Sequence, residues 1–183
     1  LFYTMQIYCD FAGYSNIAIG CAAIFGIRLT QNFASPYQAA SISEFWRRWH
    51  ISLSSFLKDY IYIPLGGSRC GTFRKCLNTM IVFLLCGMWH GSGLNFVVWG
   101  LLHGLYSVIG TFLPSGRKYR ILTFFEAALA WIFFRAESLS QALSYLRRMV
   151  TAGLHPGSFS RSLKLLELDP AEIAVVTVSI LLI

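Results

Sequence analysis

The chain is 183 residues long, 56% hydrophobic and only 13% charged, with a mean hydropathy of +0.58. A soluble domain carries about 25% charged residues, so this composition excludes an ordinary water-soluble globule and, more firmly, a disordered chain. Fifteen Lys and Arg against eight Asp and Glu give a net charge of +7, but the basic residues cluster between apolar runs, as in membrane proteins, which sets nucleic-acid binding aside.

The expected class is an all-α polytopic membrane protein: a bundle of transmembrane helices with interfacial or re-entrant amphipathic helices, forming a single membrane domain over 1–183. The chain starts at Leu1 rather than Met and stops at Ile183 inside an apolar run, so a piece of a longer protein is expected.

Residues 1–27 read as a transmembrane helix in which Asp10 is the only charge, with a break expected near Asp10-Phe11-Ala12-Gly13. Pro36 punctuates a loop. Ser41-x-x-Glu44 then fits a capping box, in which each side chain satisfies an orphan backbone donor. It opens an amphipathic helix over 41–59. Ile42, Phe45, Trp46, Trp49, Leu53, Phe56 and Leu57 fall on one face, Arg47, Arg48, Ser55, Lys58 and Asp59 on the other, and His50 on the border. A Trp- and Phe-rich face beside a cationic one suits the membrane interface or packing against a bundle.

Pro64-Leu65-Gly66-Gly67 is a turn. Residues 76–113 read as two transmembrane helices, with a kink or tight turn at 90–93 where Gly91 and Gly93 disfavour a straight helix. The 121–134 run is apolar but short for a span, 138–150 is an amphipathic surface helix, 151–164 a linker, and 171–183 the start of another span. The positive-inside rule puts 28–75 and 114–120 on the cytoplasmic side. Arg147-Arg148 fits this less well: either 121–134 does not fully cross, or the rule fails locally.

Titratable groups in apolar membrane segments are costly, so each is a functional candidate. They are Asp10, His50, His90 and His103, with Asn95 as a polar neighbour. His90, at the expected break, could take a proton from an attacking hydroxyl near neutral pH. On spacing alone, a histidine hydrogen-bonded inside a bundle is the stronger reading. For His50 an interfacial histidine that snorkels is the stronger reading on the residues alone, and Asp10 reads at least as well as an arginine partner or helix cap. His103 lies about 220° from His90 on an unbroken helix and would face the same site only if the glycine break re-aims it. Of the five cysteines, no pair has zinc-ligand spacing with histidine, and they read as small buried hydrophobes; no metal site is expected. Phosphate-loop, serine-elbow and H-E-x-x-H templates are absent.

Four blocks in order carry a resemblance: Asp10-Phe11-Ala12-Gly13-Tyr14-Ser15, Glu44-Phe45-Trp46-Arg47-Arg48-Trp49-His50-Ile51-Ser52-Leu53-Ser54, Tyr60-Ile61-Tyr62-Ile63-Pro64-Leu65-Gly66-Gly67 and Trp89-His90-Gly91, supported by Trp131-Ile132-Phe133-Phe134-Arg135-Ala136. From about Leu1 to Met149 the chain resembles the membrane-bound O-acyltransferase family, in the branch of the bacterial alginate O-acetyltransferase membrane subunit. The resemblance implies transfer of an acyl group from a thioester donor, acetyl-coenzyme A or an acyl carrier, to a hydroxyl, with no bound cofactor. It matches the family's near-invariant histidine to His90 and its second polar position to His50, and so reverses the odds on His90. It further implies a bacterial inner-membrane, multi-pass protein in contact with lipid. The acceptor would be a cell-envelope polysaccharide or a periplasmic or extracellular relay protein, and such a piece would be inactive alone.

On this reading His90 is the general base, and His50 orients the acyl group or stabilises developing charge. Arg47 and Arg48, with Lys58, are candidates for a phosphate-bearing donor, and Trp46, Trp49, Asp10 and Asn95 complete the substrate-binding candidates. The alternative from another class is a transporter or scaffold subunit, which predicts polar residues along a path rather than at one depth.

Overall fold

A computed structural model describes residues 1–113, 116–153 and 178. Among the described residues the chain is helical and contains no strand, only one isolated bridge between Phe33 and Trp49. The helices are α1 (Phe2–Ile24), α2 (Ile42–Arg48), α3 (Ile51–Leu57), α4 (Thr72–His90), α5 (Leu94–Phe112), α6 (Arg120–Arg135) and α7 (Leu139–Gly153). Apart from residue 178, the expected span over 171–183 lies outside the described residues, as does the 151–164 linker beyond residue 153.

Two helices, α1 and α5, are long and apolar enough to cross a membrane. The break expected at residues 10–13 is not there: α1 runs unbroken, because Gly13 is only one helix-tolerated residue and no proline interrupts the ladder. It ends at Gly26, whose φ of +74° lies in the left-handed region, while the amide of Ile27 donates back to the Ala22 carbonyl. The Tyr3, Ile7, Tyr8 and Phe11 side of α1 packs on the core, and Tyr14, Ile17 and Ile24 are exposed. Cys9 and Cys21 are exposed on this helix, contrary to the expectation of buried thiols; Cys86 alone among the five is fully buried.

The single amphipathic helix expected over 41–59 is two helices. The capping box forms, with Ser41 Oγ accepting from the Glu44 amide at 3.2 Å and Glu44 Oε2 accepting from the Ala40 amide at 2.8 Å. The Ala40 amide, and then Arg48, hold the Glu44 carboxyl below the usual glutamate value. The helix stops at Arg48 because residues 32–34 capture its backbone groups. The Ala34 amide donates to the Arg48 carbonyl at 3.0 Å, and the Ile51 amide to the Asn32 carbonyl at 3.1 Å. Trp49 is extended and His50 takes a φ of +45°, after which α3 starts and runs on as a π-helical turn, Lys58–Tyr62.

The path of this pair doubles back on itself. The chain enters at Ser41, in a small pocket with Tyr106, Gly110 and Leu113 near the end of α5. It returns at Leu65, whose carbonyl accepts from Asn78 Nδ2, early in α4, at 3.0 Å. His50 lies at the turn between.

α4 and α5 form a hairpin joined by Gly91-Ser92-Gly93. Their contact is a seam of small residues: a Cβ on Gly100 would overlap the Phe83 carbonyl, one on Gly87 the Phe96 carbonyl, and one on Gly104 would lie 2.9 Å from Met80 Sδ. The far end of α6 is fastened to this hairpin by Asn95, whose Nδ2 donates to the carbonyls of Ala136 at 2.8 Å and Phe133 at 3.3 Å. Buried helix-end carbonyls need such a partner.

Gly100→Ala should therefore force α4 and α5 apart and lower the folded yield and thermal midpoint of the full-length protein. Gly110→Ala, on the same helix with open space around its Cα, should leave both unchanged. Size-exclusion recovery after a heat step in detergent measures the pair.

Candidate active site

A cavity of about 410 Å³ opens between α1, the α2–α3 turn, the end of α4 and α6. Four of the residues nominated from sequence line it: Asp10, Trp49, His50 and His90. They are brought there by three different breaks or faces. Asp10 projects from the same side of α1 as Tyr3 and Ile7. His50 occupies the left-handed turn between α2 and α3, and His90 is the last residue of α4, where the glycines stop the helix.

The walls are aromatic. The His90 ring meets Trp99 edge-to-face at 5.1 Å and Phe134 at 5.2 Å between centroids, and the His50 ring meets Phe11 at 4.7 Å. Both imidazoles are half-buried. Burial holds the His50 ring below its ordinary value of 6.5, so it is neutral at pH 7.

The proton on His50 can be placed by counting donors. Ser52 Oγ donates its only proton to Asn32 Oδ1 at 2.7 Å, and the same Oδ1 accepts the Ser52 amide at 3.1 Å, which fixes it as the oxygen end. The 3.4 Å contact between Ser52 Oγ and His50 Nδ1 then has Nδ1–H as the donor. Nε2 is left with a lone pair. In this tautomer His50 accepts a hydrogen bond and has no proton on Nε2 to offer a developing anion. Sequence reading missed Asn32; its only signal was an asparagine in a loop, and its role depends on a contact twenty residues along the chain.

The other nominated residues are elsewhere. Trp46 is buried, and its Nε1 donates to His103 Nδ1 at 3.2 Å. Arg48 is held by Glu44 at 2.7 Å and by the Ala34 carbonyl at 3.1 Å. Arg47 is exposed, and Asn95 caps α6. His103 is fully buried behind Trp99, 5.0 Å from that ring, and does not reach the cavity wall. Among the described residues no group of three or more His, Cys, Asp or Glu could hold a metal ion. Two imidazoles and a carboxylate in an aromatic-walled cavity are suited to moving a proton on or off a hydroxyl.

Comparison with known proteins bears on what this cavity serves. The sequence model described as "MBOAT, membrane-bound O-acyltransferase family" matches residues 1–149. The chain is 48% identical over 160 residues to a peptidoglycan O-acetyltransferase of Helicobacter pylori, covering 82% of this chain and 30% of that protein. It is 43% identical over 160 residues to a probable alginate O-acetylase, AlgI, of Pseudomonas aeruginosa, covering 84% and 31%. A teichoic acid D-alanyltransferase of Bacillus subtilis is 31% identical over 128 residues, covering 66% and 32%. The chain thus spans about three-tenths of the length of the curated relatives it matches.

If Asn32 sets the His50 tautomer, Asn32→Ala in the full-length protein should lower kcat about tenfold, about 1.4 kcal/mol of barrier, with KM for the donor unchanged. Steady-state acyl transfer measures both. A wild-type kcat would show that the ring needs no such anchor.

Proposed function

Because the chain belongs to the membrane-bound O-acyltransferase family, we propose that the whole protein moves an acyl group, specifically acetyl, from a thioester donor to a hydroxyl of a cell-envelope polysaccharide or a relay protein. The observation that carries this reading is the meeting of His90, His50 and Asp10, from three separate parts of the sequence, in one aromatic-walled cavity. A transporter would distribute such groups along a path; Asp10, His50 and His90 instead line one cavity.

His90 takes the proton from the acceptor hydroxyl as its oxygen attacks the thioester carbonyl. The tetrahedral adduct collapses with cleavage of the C–S bond, and the imidazolium returns the proton to the departing thiolate. His50, with Nε2 as acceptor, receives a hydrogen bond from an acceptor hydroxyl and orients it. The aromatic walls keep water from competing for the acyl group.

The donor, acetyl-coenzyme A or an acyl carrier, approaches from the basic side of the molecule. There Arg47 and Lys58 are exposed, whereas Arg48 is committed to Glu44. In this reading α1, the α4–α5 hairpin and α6 belong to a multi-pass bundle in a bacterial cytoplasmic membrane, and α2–α3 dips into it without crossing.

His90→Ala should lower acetyl transfer by the full-length protein about 10²–10⁴-fold with expression and detergent elution unchanged. Near-normal turnover would refute the assignment. The lowered His50 value has its own consequence. A ring whose folded value lies below 6.5 stays neutral down to that pH, so its contribution is present above pH 6.5 and lost below it as the ring protonates. The kcat profile of wild type compared with His50→Gln should therefore differ in an acidic limb below pH 6.5. A limb centred above 6.5 that vanishes in the variant would contradict the burial argument.

A further inference from the structure

Acyl transfer develops two charges together, a positive one on the base and a negative one on the carbonyl oxygen under attack. The cavity meets the first with His90. For the second it offers no cation: no Lys or Arg lines it, and its only charged wall residue is the carboxylate of Asp10. His50 presents a lone pair at Nε2, because its proton sits on Nδ1 against Ser52. We propose that the indole N–H of Trp49 is the donor that holds the carbonyl oxygen, which makes Trp49 a catalytic residue. The proposal rests on the acyl-transfer reading above and adds to it the group that stabilises the tetrahedral adduct.

Three tryptophans line the cavity, Trp49, Trp99 and Trp131, and their indole nitrogens differ. Those of Trp99 and Trp131 are sealed from the surface and reach no substrate. The Trp46 nitrogen, behind the wall, is committed to His103. Trp49 is only 3% exposed, yet its nitrogen is not among the sealed atoms, and among the described residues it makes no hydrogen bond. The small accessible part of this side chain therefore includes its N–H, and the cavity is the opening that Trp49 lines. A buried donor left without a protein acceptor is kept for a ligand's oxygen.

The donor is also held still. The Trp49 ring stacks on Phe45 with centroids 5.5 Å apart, meets Phe33 edge-to-face at 5.0 Å and lies 5.0 Å from Trp131. Its amide donates to the Phe45 carbonyl at 2.8 Å, and its carbonyl accepts from Ser54 Oγ at 3.2 Å. A fixed N–H needs no reorganisation when charge appears, which is the condition under which such donors act most strongly. An indole nitrogen only donates, so it holds an anion without surrendering its proton.

The step balances as follows. The acceptor oxygen bonds to the carbonyl carbon, its proton passes to His90, and the C=O π pair moves onto the carbonyl oxygen against Trp49 Nε1–H. When that pair re-forms C=O, the C–S bond breaks and the imidazolium protonates the departing sulfur. Trp49 keeps its proton throughout.

The test exchanges a single group. Benzothienylalanine placed at position 49 of the full-length protein keeps the bicyclic ring and puts sulfur where the N–H was. With acetyl-coenzyme A as donor and an envelope polysaccharide as acceptor, kcat should fall about 10²-fold, with KM for the donor and the thermal midpoint unchanged. Isotope-edited infrared spectroscopy gives a second readout. Acetyl-coenzyme A labelled with ¹³C at the carbonyl is bound to His90→Ala protein, and its carbonyl band should lie at lower frequency with tryptophan at position 49 than with the sulfur analogue. If the analogue does not fold, Trp49→Phe takes its place in the same comparison.

A wild-type kcat with the analogue, a raised KM at unchanged kcat, or one carbonyl frequency for both side chains overturns the proposal. The underlying reading fails differently. If His90→Ala retains turnover the base assignment falls, while the carbonyl band still reports whether Trp49 touches the thioester.

Discussion

The site depends on where backbone hydrogen bonds go when a helix stops in apolar surroundings. An orphan carbonyl or amide there has no water to turn to, so every break must be met by another segment. At His50 the loop from Asn32 to Ala34 supplies the partners; at the end of α6 the Asn95 amide does. These breaks place side chains where an unbroken helix could not. His50 in particular owes its position to a left-handed φ of +45°, a conformation that a non-glycine residue adopts only when its surroundings hold it there.

The packing around the breaks explains why they are rigid. Phe45, Trp49, Trp99 and Trp131 form a continuous aromatic block from α2 through α5 to α6. Trp99 and Trp131 stack at 5.9 Å, and Phe45 and Trp49 at 5.5 Å. The Trp46–His103 hydrogen bond pins α2 to the middle of α5. Side chains of this size have few rotamers and large contact areas, so the block fixes the α2–α3 turn against the end of α4. The outer side of α1, by contrast, is exposed, with Tyr14, Ile17 and Ile24 beside the polar Gln6 and Asn16.

Much of this was legible in the sequence. The capping box at Ser41 and Glu44, the glycine break after His90 and the apolar character of α5 all follow from local chemistry, and the helices form where those signals say. The convergence of His50 and His90 was implied by family resemblance and not by spacing. What stayed hidden was non-local. The 41–59 segment has an uninterrupted helical pattern, and only capture by residues 32–34 breaks it. Asn95 stood out as a polar residue in an apolar helix, but whether it faced a ligand or a helix end depended on α6. Trp46 reads as a substrate-binding candidate until His103 is seen across from its indole. The opposite error, the break expected in α1, came from weighting Asp10 and Gly13 as helix breakers where the rest of the segment sustains the ladder.

The Asn95 amide has one further consequence. A single NH₂ group grips two carbonyls of a neighbouring helix, so the corner where α5 begins and α6 ends behaves as one welded joint. Phe134, which lies against the His90 ring, is carried by that same joint. Any tilt of α6 would thus swing the start of α5 with it and keep the imidazole and its aromatic shelf in register.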